Sequence, residues 1–298
     1  MLTDIFGIVA PVFAMTAVGY IWARRGLPFD QPTVSTLITN VGAPALVFHS
    51  LTGLRPTLEQ LGTLGLAAAT TIACCLLFGY VLLRVLGWDR RAFLPSLVQA
   101  NSGNMGLPLV MLAFGETGLA LGSIVFFVNA FSQHTLGLGI SSGTFEIRAL
   151  LRQPIIWSVL ASSAVLATDT VVPTWIADTA RLLGGLLIPG MLIMLGTSLA
   201  RFTLANVPRA LTLALTRLGL GVGVALLVIH LFALEGLVAG VLLLQASMPA
   251  AVFNYVFAER FGRRPDEVAA TVLVSTLLTM ALLPLLVAFS LRIAGIAS

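Results

Sequence analysis

LVQANSGNMGLPLVML, residues Leu97 to Leu112, is the stretch on which the reading of this chain turns. Its flanks are apolar enough to lie in lipid, yet its centre carries Gln99, Asn101, Ser102, Gly103, Asn104, Gly106 and Pro108. Pro108 removes a backbone donor and disfavours helix in the residue before it. Gly103 and Gly106 open backbone angles that other residues resist. A helix is therefore expected to break here. In a membrane such a break must be covered by protein or line a water-filled cavity, because lipid offers the freed backbone groups no partners.

The surroundings are those of a membrane protein. Of 298 residues, 58% are hydrophobic and 9% charged, and the mean hydropathy of +1.03 is far above that of a soluble domain. A spanning helix takes about 20 mostly apolar residues. By that ruler the chain divides into ten candidate spans, roughly 4–22, 33–52, 58–86, 92–114, 118–141, 154–170, 174–200, 207–233, 236–258 and 267–292. The N-terminus lacks the basic region and cleavage site of a signal peptide, so its apolar run is kept as a span. With the N-terminus outside, Arg24, Arg25, Arg84, Arg90, Arg91, Arg148, Arg152, Arg201, Arg209, Arg260, Arg263 and Arg264 fall on the cytoplasmic side. Only Arg55, Arg181 and Arg292 then fall outside, and this asymmetry places both termini outside. No basic cluster interleaves with aromatics, so no nucleic-acid partner is expected. Cys74 and Cys75 are adjacent in an apolar run and suit neither a disulfide nor a metal.

The two halves answer each other at an offset of about 145 residues. Pro44 matches Pro189, Gln99 matches Gln245, Asn129 falls opposite Ser275, and the "FGE" ending at Glu116 loosely answers the "FAE" ending at Glu259. Five spans per half is an odd number, so the second half enters the bilayer the other way up. The expected architecture is all-α, with ten transmembrane helices as two inverted five-helix repeats: residues 1–141, a short linker at 142–153, and residues 154–298.

The second half carries its own interruption, "ASMPAAVFN" from Ala246 to Asn254, with Ser247, Pro249 and Asn254. Helices 4 and 9 are thus expected to be discontinuous and to cross. Their half-helix N-termini present unpaired N–H groups and partial positive charge, which suit an anion, while freed carbonyls can coordinate a cation or water. Asn101, Ser102, Asn104, Ser247 and Asn254 are expected to line the gap, with Gln99 and Gln245 one turn away. The competing reading is a pair of ordinary Pro/Gly kinks, which leaves their matched positions and their amides unexplained.

"QANSGNMGLPLVM" resembles the fourth-helix signature of the auxin efflux carrier family, and "ASMPAAVFNYVFAERFG" with "VLVSTLLTMALLPL" resembles its ninth and tenth helices. "NVGAPALVF" in the second span fits as well, so the resemblance covers essentially the whole chain. It implies a fold like that of the bile acid:sodium symporters, with a scaffold of helices 1, 2, 6 and 7 and a transport domain of helices 3–5 and 8–10. It further implies organic-anion substrates, auxin in plants and malate or malonate in bacteria, moved by an elevator-like displacement. Homodimers are implied from the plant PIN-FORMED branch. By position, the crossover prolines are Pro108 and Pro249, flanked by Asn101, Asn104 and Ser247. The short 142–153 linker matches a bacterial inner-membrane carrier rather than the long plant proteins. The plant carriers place an acid in the third helix, whereas "AAATTIACCLLFG" has none, so a proton, a sodium ion or no coupling ion all stay open.

Ionisable residues inside spans are functional candidates by default. His134, beside Gln133 and near Asn129, is a proton relay or substrate contact, or else a neutral histidine satisfied by a neighbouring helix. Arg217 either pairs with a substrate carboxylate or snorkels to the interface. A sodium or proton exchanger of similar fold is the alternative function, but no carboxylate lies at mid-span to bind and release the cation. No HExxH and no paired intramembrane Asp is present, and no nucleophile elbow joining a strand to a helix is expected in an all-helical chain, so neither an enzyme, a metal nor a cofactor is expected.

Overall fold

Prolines mark where several helices begin. Pro32, Pro154, Pro208 and Pro265 all lie in a first helical turn, where the missing N–H would have had no helical partner in any case. In the computed structural model, which describes residues 2–55, 57–143, 153–202 and 204–296, the chain is helical throughout. Its helices are α1 (Leu2–Arg24), α2 (Gln31–Leu54), α3 (Leu58–Val85), α4 (Arg90–Val98), α5 (Ser102–Ser142) and α6 (Pro154–Ala167). They continue as α7 (Thr174–Arg201), α8 (Val207–Leu231), α9 (Gly236–Ala246), α10 (Phe253–Arg260) and α11 (Pro265–Ile293). Among the described residues there is no strand, only an isolated antiparallel bridge between Ala100 and Ala250. Seven of the helices, α1, α2, α3, α5, α7, α8 and α11, are long and apolar enough to cross a membrane, while α6 and α9 are apolar but shorter. The chain is an all-helical integral membrane protein. Residues 144–152, and with them most of the expected linker and Arg148 and Arg152, lie outside the described residues.

α5 is not one rod. Gly115 sits at φ 65° and ψ −160°, a conformation open essentially only to glycine. Beyond it, Gly122 packs so near Val110 that a Cβ there would lie 3.0 Å from Val110 Cγ1. A straight helix would hold those two residues about 18 Å apart, so the chain folds back at Gly115 into a helical hairpin. Two other helices deviate just upstream of the matched prolines. Before Pro44, α2 widens into a π turn over Ile38–Gly42. Before Pro189, α7 steps at Gly185 and Leu186, between Thr174–Gly184 and Leu187–Arg201. A proline's ring clashes with the carbonyl four residues back, which is Asn40 in the first case and Gly185 in the second.

Within this arrangement α1, α2, α6 and α7 pack on one another, and α8, α9, α10 and α11 pack together with α3, α4 and the hairpin. α1 meets the second part of α7 at two glycines. A Cβ on Gly19 would fall 2.0 Å from Ile193 O, and one on Gly196 would fall 2.0 Å from Thr16 O. Small residues at such crossings let backbones approach, the main source of cohesion between helices in lipid. Gly7, on the same α1, has nothing within 4 Å of that position. Gly196→Ala is therefore expected to destabilise by about 1–3 kcal/mol or more through overpacking. Gly7→Ala should be neutral or stabilising by up to ~1 kcal/mol through helix propensity. Opposite shifts of the melting midpoint in detergent check the pair.

Candidate functional site

The interruptions after α4 and α9 solve each other's hydrogen-bonding problem. Asn101 N–H donates to Pro249 O at 2.8 Å, and Ala251 N–H donates to Gln99 O at 3.0 Å, across the Ala100–Ala250 bridge. Each stretch thus supplies the partners that lipid cannot. Two side chains hold the bridge from its flanks. Asn129 Nδ2 donates to Ala100 O and to Ser102 Oγ, both at 2.8 Å. Ser275 Oγ accepts from Ala250 N–H at 3.2 Å and donates to Val272 O. These are the two residues that the sequence sets opposite each other in its halves.

Two of the carbonyls freed at the helix ends share one partner. In an unbroken helix Leu97 O would accept from Asn101 N–H, and Ala246 O from Ala250 N–H, but both amides are committed elsewhere. Arg217 takes both. Its guanidinium, 2% exposed, donates through one terminal nitrogen to Leu97 O at 3.1 Å and through the other to Ala246 O at 2.8 Å. Arg217 is therefore buried rather than snorkelling to an interface, and it borders a cavity of about 30 Å³ shared with Ser102, Asn129 and Gln245. One side chain closes the C-terminal ends of both α4 and α9.

On the opposite side of the bridge, the starts of α5 and α10 border a small pocket of about 50 Å³. Asn101, Ser102 and Asn104 line it, together with Gln133, His134 and Phe253. A larger cavity of about 540 Å³ adjoins it through Asn104 and Phe253, and is bounded by Gln31, Thr36, Ser198, Arg201 and Glu259. Among the residues that line the pocket, Asn101 and Gln133 carry buried amide donors, Nδ2 and Nε2, with no partner. Buried amides left unpaired are costly, so a group that accepts hydrogen bonds is what this pocket lacks. At its mouth Asn104 makes no hydrogen bond that would hold its amide back. Arg201 lies further out, bonded to Gln31 Oε1 at 3.3 Å and to Phe29 O at 3.5 Å, and brings positive charge to the larger cavity.

The expected site residues separate into two groups. Asn101, Ser102, Asn104, Asn129 and His134 meet around the small pocket. His134 Nδ1 lies 2.9 Å from Ala130 O, so Nδ1 carries the proton, and the ring packs near Phe253 and Phe257. The others serve the backbone behind it. Gln99 belongs to the interruption itself, and its amide donates to Ser132 Oγ at 2.9 Å. Gln245 lies against Gly106, where a Cβ would come 2.2 Å from its Oε1, and donates weakly to Gly122 O. Ser247 turns its hydroxyl back to Leu243 O at 2.6 Å, and Asn254 is buried outside both cavities with its amide unpartnered. Pro249 contributes its carbonyl, while Pro108 deprives Asn104 O of its usual partner where α5 starts. Gln133, Thr39, Gln31 and Arg201 enter the site without having been picked out. Thr39 falls in the turn that Pro44 widens, which was the available signal.

Residues 4–144 and 140–287 match the family described as "Membrane transport protein". A protein of Methanothermobacter thermautotrophicus named an "uncharacterized transporter" is 29% identical over 93% of this chain and 95% of its own. One of Rhizobium meliloti, named a "putative malonate transporter", is 24% identical over 94% of each. Another "uncharacterized transporter", from Methanocaldococcus jannaschii, is 22% identical over 93% of this chain and 96% of its own. The resemblance seen in the sequence is borne out as likeness to a membrane transport family.

The bridge makes a graded prediction. Asn129→Leu strips partners from Ala100 O and Ser102 Oγ, whereas Ser275→Ala strips one from Ala250 N–H. At ~1–3 kcal/mol per buried group left unpaired, N129L should lose about twice what S275A loses. Denaturation of the two purified variants in detergent measures the ratio.

Proposed function

The chain belongs to the membrane transport protein family, a family of transporters rather than enzymes, and from that premise we propose that it is a secondary carrier for small organic anions. A dicarboxylate such as malonate or malate is favoured over a monocarboxylate, in line with the name of the Rhizobium meliloti relative. The observation that carries the reading is the pair of unpartnered amide donors, Asn101 Nδ2 and Gln133 Nε2, in the pocket where α5 and α10 start. A carboxylate accepts from both, and hydrogen bonds to a charged acceptor are about twice as strong as neutral ones. The two helix N-termini add partial positive charge. Arg201 at the outer cavity favours entry of an anion.

The same reading takes the interrupted α4–α5 and α9–α10 as crossing helices of two inverted five-helix repeats, ten spans in all. The fold-back at Gly115 supports it, as do the deviations before Pro44 and Pro189 and the parallel duties of Asn129 and Ser275. α1, α2, α6 and α7 would be the scaffold. The remaining helices would form the transport domain that moves past it in an elevator-like step. The 540 Å³ cavity lies between residues of the two groups. It opens beside Arg201 and Glu259, the side that the arginine asymmetry makes cytoplasmic. A bacterial inner membrane, outward-facing termini and a homodimer complete the proposal, on the strength of the family resemblance.

Uptake of labelled mono- and dicarboxylates into proteoliposomes, with imposed proton and sodium gradients, tests it. Asn104→Leu and Gln133→Leu should each reduce dicarboxylate uptake roughly ten-fold or more, the worth of one charge-assisted hydrogen bond, with folded yield unchanged. Undiminished uptake by both variants would remove the site. Accumulation of sodium alone would replace the anion carrier with a cation exchanger.

A further inference from the structure

Carbonyls freed at the ends of interrupted helices are natural ligands for a coupling cation. In this protein the two that face each other, Leu97 O and Ala246 O, are already taken by the guanidinium of Arg217. We infer that Arg217 is a resident cation: it occupies in permanent form the place where a sodium ion would bind, so the carrier works without one. The inference rests on reading the crossing as the transport site.

Three further observations support it. Arg217 is buried, and no carboxylate pairs with it among the described residues, where the ion pairs join Arg55, Arg181, Arg209 and Arg264 to Asp169, Asp178 and Glu267. Its charge is therefore answered by backbone dipoles at two helix C-termini, the ends that attract cations. The approach is also built in: a Cβ on Gly221, one turn along α8 from Arg217, would fall 2.2 Å from Ala246 O, so only glycine lets this helix come so near. Finally, a small cavity of about 30 Å³ beside the guanidinium is lined by Thr71, Cys75, Ser102, Asn129 and Gln245 and by no acid. A sodium ion entering it would meet a fixed positive charge with no carboxylate to offset the repulsion. Past Glu59 in its first turn, α3 likewise carries no carboxylate that could hold a mobile cation here.

The test uses purified full-length protein in detergent, melted in sodium chloride against choline chloride at constant ionic strength. The wild type is expected to show no sodium-dependent shift. Arg217→Met should melt several degrees lower in choline and recover saturably as sodium replaces the missing charge. Arg217→Lys, which keeps a charge but cannot fork to both carbonyls, should melt between the two and ignore sodium. If R217M is not recovered as a single species by size exclusion, Arg217→Gln takes its place with the same outcomes. A saturable sodium shift in the wild type would overturn the inference. So would a neutral variant that matches the wild type, or one that melts low without responding to sodium. No organic anion is present in this experiment, so a failed uptake assay strikes the carrier reading, while a failed sodium response strikes this one.

Discussion

A polypeptide that breaks its helix inside a membrane must find a partner for every amide and carbonyl it frees, and that demand organises this protein. Neither interruption could be tolerated alone. Together they form a two-residue patch of sheet-like pairing, Asn101 to Pro249 and Ala251 to Gln99. Asn129 and Ser275 complete it from the hairpin and from α11. Two more carbonyls, Leu97 O and Ala246 O, fall to Arg217. The glycines at 106, 122 and 221 are consequences of the same demand, because each admits a neighbour where a methyl group would collide.

The arrangement is asymmetric in a useful way. Behind the bridge, the C-terminal ends of α4 and α9 are closed by a fixed cation. In front of it, the N-terminal ends of α5 and α10 face a pocket whose buried donors lack acceptors. The freed carbonyls Leu97 O and Ala246 O are thus occupied on one side, while the amide donors of Asn101 and Gln133 are unspent on the other. The second side adjoins the cavity of about 540 Å³, and it is there that we place the anion.

Much of this was legible in the sequence, for identifiable reasons. Hydropathy and the spacing of Pro and Gly locate helices and breaks directly, so the interruptions at 99–101 and 247–252 fall where the residue chemistry puts them. Side-chain direction is another matter. Ser247 and Asn104 look alike as polar residues near a break, yet one is bound to its own helix and the other faces the cavity. That Arg217 reaches both Leu97 O and Ala246 O depends on how closely α8 approaches α9, a distance that Gly221 permits but does not announce. Gln133 was passed over in favour of His134, whose ring nitrogen is already tied to Ala130 O. The matched pair Asn129 and Ser275 was visible as a repeat, but its role in holding the bridge emerges only when the two halves are brought together.

The central claim is that the paired interruptions present a carboxylate site through Asn101 and Gln133. Equilibrium binding of labelled malonate and malate to the purified protein measures it most directly, comparing the wild type with Asn101→Leu and with the double variant carrying Gln133→Leu as well. The account predicts saturable binding by the wild type with one site per chain, weakened at each step of the series. Equal binding by all three proteins, or no saturable binding of any mono- or dicarboxylate by the folded wild type, would contradict it.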